Sequence, residues 1–360
     1  MKTMALSLIV ALSALMSGGI LNARADDNEL KIGAILSLTG MAAAHGTAIR
    51  DGIEFAKSTL ENSGRRVSIT YQDDATSAKN TISGVEQLAA SGIRYVIGPT
   101  WGNLSGPAEP SFRRHKMLSF QPANSSEFVP GSNEQFFFIL SPPSSARAPL
   151  VEFLAKHRGS KVGIVNVESL WGSLWQKLFQ DAAKEVGLEV VVDELLQFGE
   201  LEVGLRSLTT KLKQRKVDIL LSTTWSQGTA LTVAELERQQ VKLTLLSPDL
   251  NESVNERLVK TESRFVDGFT IIPREDPVFI EAFSKTFGRK PLKYTDTAYD
   301  ALMIIVEAVT RAGDDTEAVK RYLVTSLDVA GKSGRLKFGA SHDVQGAGYE
   351  VRRVVARVDK

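Results

Sequence analysis

Three of the four tryptophans, Trp101, Trp171 and Trp225, stand in short turns that each follow an apolar run, where a side chain can meet a ligand as readily as a core. The turns read Ile97-Gly98-Pro99-Thr100-Trp101-Gly102-Asn103, Val167-Glu168-Ser169-Leu170-Trp171-Gly172 and Ser222-Thr223-Thr224-Trp225-Ser226-Gln227-Gly228. A fourth turn of the same kind reads Gln121-Pro122-Ala123-Asn124-Ser125-Ser126. Indole faces at a cleft stack on flat ligands or cap apolar and cationic groups, each contributing on the order of 0.5–2 kcal/mol when desolvated. The competing role is core packing, which is the role expected of Trp175, one turn beyond Trp171. Gly102 and Asn103, followed by Ser105, Pro107 and Pro110, read as a helix start whose free backbone N–H groups can receive a carboxylate or another acceptor. Asn124 and Ser125 add polar groups after the next strand. Asp249, in Ser247-Pro248-Asp249, can accept from an ammonium or amide, or can cap the helix after it. Asp73-Asp74 with Thr76 and Ser77 reads as turn and cap chemistry only.

Enzymatic constellations do not stand out. His45, His115, His157 and His342 are far apart and never at metal-ligand spacing, and there is no Gly-x-Ser-x-Gly elbow, phosphate loop or Gly-x-Gly-x-x-Gly. No catalytic set, metal or cofactor is therefore expected, and a secreted α/β enzyme would have to assemble its site in tertiary structure alone.

These turns need elements to hold them. From Leu30 onward short apolar β-rich runs alternate with segments of helical period, which is the mark of βαβ units. Strands are expected at 31–36, 67–71, 95–97, 117–120 and 136–139. Between the first two, Ile49, Ile53, Ala56 and Leu60 share one face of a helix over 48–60. After Ser141-Pro142-Pro143 the pattern restarts, with strands at 162–167, 189–195, 219–222, 244–246 and 268–272. A second break runs from Ile272-Pro273 to Pro277, before helices at 278–287, 295–311 and 316–326 and final strands at 334–338 and 349–355. The expected fold is α/β, with two Rossmann-like lobes around parallel sheets. Lobe 1 takes residues 26–142 and 274–330, and lobe 2 takes 143–273 and 331–360. In such sheets ligands bind at the carboxyl ends of the strands, where all four turns lie.

The N-terminus reads as a secretory signal peptide, with Lys2, an apolar run from Met4 to Met16, and Ala23-Arg24-Ala25 at the cleavage point. The run is shorter than the roughly 20 residues a spanning helix needs. Cleavage after Ala25 would leave a mature protein starting at Asp26-Asp27. There is no cysteine, so packed cores must hold the fold without disulfides, and no lipid can be attached at a mature N-terminal cysteine. Free diffusion in the periplasm, as a monomer, is the expectation. With 43 basic and 42 acidic residues, the charge balance favours neither nucleic acid nor a membrane surface as partner.

The chain resembles the type I periplasmic binding proteins of the leucine/isoleucine/valine-binding branch. The segments that carry the resemblance are Lys31-Ile32-Gly33-Ala34 with Leu38-Thr39-Gly40, Tyr71-Gln72-Asp73-Asp74, Gly92 to Pro99, and Ala298-Tyr299-Asp300-Ala301. It implies a bilobal Venus-flytrap fold with three crossover segments, closing by hinge motion on a small-molecule ligand and delivering it to an ABC-transporter permease. A sensory role would use the same clamshell. The resemblance also implies ligand contacts at Trp101, Gly102, Asn103, Pro122 and Asn124, at Trp171 and Trp225, at His45, and at Asp249 in place of an ammonium-binding acid. Departures from the amino-acid-binding pattern are Trp101-Gly102-Asn103 where hydroxyl residues are common, Asn124 where threonine is usual, and tryptophans for tyrosines. They point to a flatter or bulkier ligand: an aromatic or branched acid, an aromatic amino acid, or an amide.

Overall fold

The structure, a computed structural model, describes residues 29–358 apart from 130, 132–133, 198, 200, 251–261 and 347. The expected signal peptide and its cleavage point at Ala25 lie outside the described residues.

The first run of elements is β1 (Leu30–Leu36), α1 (Ala43–Asn62), β2 (Val67–Asp73), α2 (Ala78–Ala90), β3 (Tyr95–Ile97), α3 (Gly102–Arg114), β4 (Leu118–Gln121) and β5 (Phe136–Phe138). The second is α4 (Arg147–Ala155), β6 (Lys161–Val167), α5 (Leu170–Glu185), β7 (Glu189–Leu196), α6 (Leu201–Arg215), β8 (Ile219–Thr223), α7 (Trp225–Arg238), β9 (Leu243–Ser247), β10 (Glu262–Ser263) and β11 (Val266–Pro273). The third is α8 (Pro277–Phe287), α9 (Thr295–Ala312), α10 (Thr316–Thr325), β12 (Val329–Ala330), β13 (Arg335–Phe338), β14 (Val344–Gly346) and β15 (Tyr349–Arg357).

Two sheets result, the first wholly and the second largely parallel, as continuous apolar strands separated by amphipathic helices require. The first has the order β2-β1-β3-β4-β5, and every pairing in it is parallel. One face packs Ile32, Ile97 and Phe120 against Ile53 of α1 and Leu302 of α9. The other packs Ile35 and Val96 against Val85 of α2 and Phe112 of α3. The second sheet has the order β10-β15-β11-β9-β8-β6-β7, again with a core on each face, one around Trp175 and Phe179 and one around Leu205 and Leu236.

Two details differ from the sequence reading. Residues 331–346, assigned there to lobe 2, pack on the first lobe: Leu336, Phe338 and Val344 join its core, Phe338 meets Phe137 at 5.0 Å, and the Phe138 N–H donates to the His342 carbonyl. With β12, strands β13 and β14 make a small antiparallel sheet of their own. Only β15 reaches the second sheet, and it runs antiparallel to β11, so that sheet is not wholly parallel. The reason is directional: β11 leaves the second lobe as β15 enters it, with Pro273 paired to Tyr349 at the exit.

The chain crosses between lobes at three places, after β5, after β11 and before β15, and these segments lie side by side. The Tyr349 hydroxyl donates to the Ser141 carbonyl at 3.0 Å, and the Arg274 N–H donates to the Gly348 carbonyl at 3.0 Å. Gly346 sits at φ +63° against Ser141, where a Cβ would collide with the Ser141 hydroxyl, so this contact requires glycine. Three backbone strands bonded to one another can flex together while each sheet stays rigid, which is what a hinge needs.

A candidate ligand cleft between the lobes

Parallel strands end on the same side of their sheet, so the loops after them converge. In this fold the carboxyl ends of both sheets face one cavity of about 770 Å³, within the usual range for small-molecule sites. From the first lobe come Met41 just before α1 and His45 in its first turn, Trp101, Gly102 and Asn103 at the start of α3, Ala123 and Asn124 after β4, and Phe128. From the second come Glu168 to Trp171 after β6, Thr224 to Gly228 after β8, and Pro248 and Asp249 after β9. Eight of the nine expected residues therefore line one cavity: His45, Trp101, Gly102, Asn103, Asn124, Trp171, Trp225 and Asp249. Pro122 does not line it: it is buried, and its neighbours Ala123 and Asn124 line the cavity instead. Trp175, expected to be packing, is 2% exposed in the core of the second lobe, and one part of it also reaches the cavity.

The polar geometry has a definite sense. Among the described residues no side chain caps the N-terminus of α3, and Leu104 and Ser105 both donate their N–H to the Trp101 carbonyl, which leaves those of Gly102 and Asn103 for an acceptor in the cleft. The N-terminus of α5 differs, because Ser169 accepts from the Gly172 N–H at 2.9 Å. Asn124 is a wall residue more than a donor to the cleft: its amide NH₂ engages the Gln121 side chain at 2.9 Å and the Pro99 carbonyl at 3.3 Å.

The Trp101 indole N–H donates to His45 Nδ1 at 3.0 Å. Indole nitrogen is only a donor, so His45 accepts on Nδ1 and carries its proton on Nε2. Burial, with a smaller repulsion from Lys293, pushes the imidazole down to about 3. His45 is thus expected to stay neutral, with Nε2 protonated, down to about pH 4, which ¹⁵N NMR would read directly. Below its ordinary value of 6.5 the unfolded chain takes up a proton that the folded one refuses, so His45 costs stability as pH falls from 6.5 toward 3. Titration of the folded protein near 6.5 would show instead that water reaches the ring freely.

Across the cleft, the Trp101 and Trp225 rings are 6.0 Å apart at 31°. Two rings that sandwich a third need a gap of roughly 7 Å, two van der Waals spacings. The pair therefore forms a continuous wall beside the ligand space and does not hold a flat guest between its faces. Trp225 reaches this contact from a left-handed backbone, φ +54°, and Tyr294 occupies another, φ +77°. Non-glycine residues adopt such angles at a cost of on the order of 1–3 kcal/mol each, and these cluster at functional sites.

Sequence reasoning missed the segment before α9. Leu292, Lys293 and Tyr294 line the cavity, with the Tyr294 ring edge-on to His45 at 5.1 Å. Lys293 Nζ lies 3.7 Å from Asp249 Oδ1, an ion pair that joins the lobes. Burial opposes the Lys293 charge, but Tyr294 and Asp249 outweigh it and hold the amine above the usual lysine value. No local signal marks Lys293, since one lysine in a loop before a helix reads as a solvated charge.

Among the described residues no helix is long and apolar enough to cross a membrane, and no group of His, Cys, Asp or Glu side chains could hold a metal ion. The chain is 22% identical over 331 residues to the Leu/Ile/Val-binding protein BraC3 of Rhizobium johnstonii, covering 88% of this chain and 89% of that one. Its fold is similar to that of the leucine binding protein LivK from Thermotoga maritima, with TM-score 0.75 and 18% identity over 91% of this chain and 99% of that one. It is similar also to an ABC transporter solute binding protein from R. palustris in complex with benzoate, with TM-score 0.77 and 16% identity over 91% and 93% of the two chains. The profile of the family described as periplasmic binding protein matches residues 29–356, nearly everything the structure describes. Two lobes, three crossovers and a cleft between facing strand ends, together with that match, establish that this chain belongs to the periplasmic binding protein family.

Proposed function

We propose that the chain is the substrate-binding component of an ABC importer, closing its lobes on an amino acid or a small, aromatic carboxylic acid or amide and handing it to a permease in the inner membrane. The observation that carries this reading is the cavity of about 770 Å³ walled by residues of both lobes, with Trp101 of one against Trp225 of the other. A helix N-terminus suits a carboxylate, and the indoles, Phe128 and Leu292 suit an apolar body. Relatives named for leucine binding and a neighbour holding benzoate point to the same ligand range. The leader at residues 1–25 would deliver the protein to the periplasm, where it acts as a monomer, without a cofactor and without turning over its ligand.

Two measurements test the reading. Small-angle scattering of the purified protein should show compaction on adding benzoate or L-leucine, because a ligand that touches both lobes favours the closed form. Deletion of the gene should abolish uptake of the compound that compacts the protein. Scattering unchanged by every amino acid and aromatic acid would overturn the proposal, and intact uptake would reassign the clamshell to sensing.

A further inference from the structure

Two charged side chains meet in the cavity interior from opposite lobes. Asp249 is 5% exposed; one carboxylate oxygen faces Lys293 Nζ at 3.7 Å, and the other, Oδ2, is buried without a hydrogen-bond partner among the described residues. Lys293 stands directly before Tyr294, its ammonium 5.1 Å from that ring's centre. Among the described residues the other charged side chain lining the cavity, Glu168, is exposed, so water screens it.

We propose that Lys293 supplies from the protein the cation that an amino-acid ligand would bring as its ammonium, so that the cleft selects carboxylates without an α-ammonium group. The inference rests on the reading of this cleft as the ligand site and narrows its substrate class. A buried carboxylate needs a counter-charge, and here closure of the lobes brings one. A ligand ammonium competing for Asp249 would stand beside the Lys293 ammonium in a water-poor space, and like charges so placed repel strongly. A ligand carboxylate meets the opposite situation. The Gly102 and Asn103 N–H groups are open to it, and Lys293, at 3.7 Å from Asp249, is beyond hydrogen-bond length and keeps donors to turn toward it. Asp249 Oδ2 remains as an acceptor for a neutral donor, such as a hydroxyl on the ligand.

Matched pairs differing only in the ammonium isolate the effect: 4-methylpentanoate against L-leucine, and 3-phenylpropanoate against L-phenylalanine. Calorimetry on protein freed of bound ligand by unfolding and refolding should show each des-amino acid binding on the order of a hundredfold tighter than its partner. Lys293→Met should shrink that ratio to below about tenfold by restoring Asp249 as an ammonium acceptor. Asp249→Asn should keep the des-amino preference, because Lys293 stays charged. An amino acid that binds wild type as tightly as its des-amino partner overturns the inference while leaving the cleft as the ligand site, and this comparison needs no variant to fold. An unchanged ratio in a folded Lys293→Met protein overturns the role of Lys293. If no amino acid, des-amino acid or aromatic acid binds, the cleft is not the ligand site and the inference falls with that reading.

Discussion

Trp101→Ala is expected to weaken binding of the wild-type ligand on the order of a hundredfold while leaving the unliganded protein folded. Three losses combine. The indole face that walls the cavity beside Trp225 disappears, at about 2 kcal/mol for a large buried ring. The closed form loses a bridge between lobes, since Trp101 belongs to the first and Trp225 to the second. His45 Nδ1, which accepts from the indole at 3.0 Å, is left without that donor in an enclosed place. None of these contacts belongs to the packed interior of either sheet, so circular dichroism and the melting transition of the unliganded protein should change little. Trp225→Ala removes the ring without the histidine bond and should cost about tenfold. Calorimetry with benzoate, or with whichever acid compacts the protein, provides the check. Affinity within about threefold of wild type in both variants would remove the indole wall from the binding site.

Trp175→Ala is expected to act on folding instead, lowering the stability of the second lobe by about 4 kcal/mol. Its side chain is 2% exposed and packs with Phe179 at 5.5 Å and Tyr349 at 6.2 Å, one helical turn from the more open Trp171. Removing it leaves a void that neighbouring rings cannot close, and the void adjoins Tyr349, whose hydroxyl holds the crossover at Ser141. Denaturant unfolding should therefore show an earlier second-lobe transition. Trp171→Ala, at the cavity wall but partly packed against the same core, should shift that transition by less, about 2 kcal/mol. Similar stability losses in both variants would mean that position along α5 does not separate wall from core.

Much of the scaffold is readable locally. The runs around Ile32, Val96, Leu118, Ile164 and Leu221 are apolar on both faces because each strand sits between two helix layers, and the intervening periodicity marks those helices. Strand ends followed by polar turns identify the rim of the site, since parallel strands deliver their loops to one side. Placement of residues 331–346 could not be read this way. A short strand such as β13, with Leu336 and Phe338 facing inward, carries no label for the core it will join.

The α/β class, the restart after Pro142-Pro143 and the turns that carry Trp101, Trp171 and Trp225 are written locally, because they depend on periodicity and turn chemistry within about a dozen neighbouring residues. Tertiary structure alone settles that Lys293 meets Asp249, that Trp101 lies against Trp225 and bonds His45, and that Pro122 is buried away from the cavity lining. Those outcomes depend on how two lobes close about three crossover strands. Partners brought together in that way, from opposite lobes or from distant turns of one lobe, leave no periodic trace in the chain.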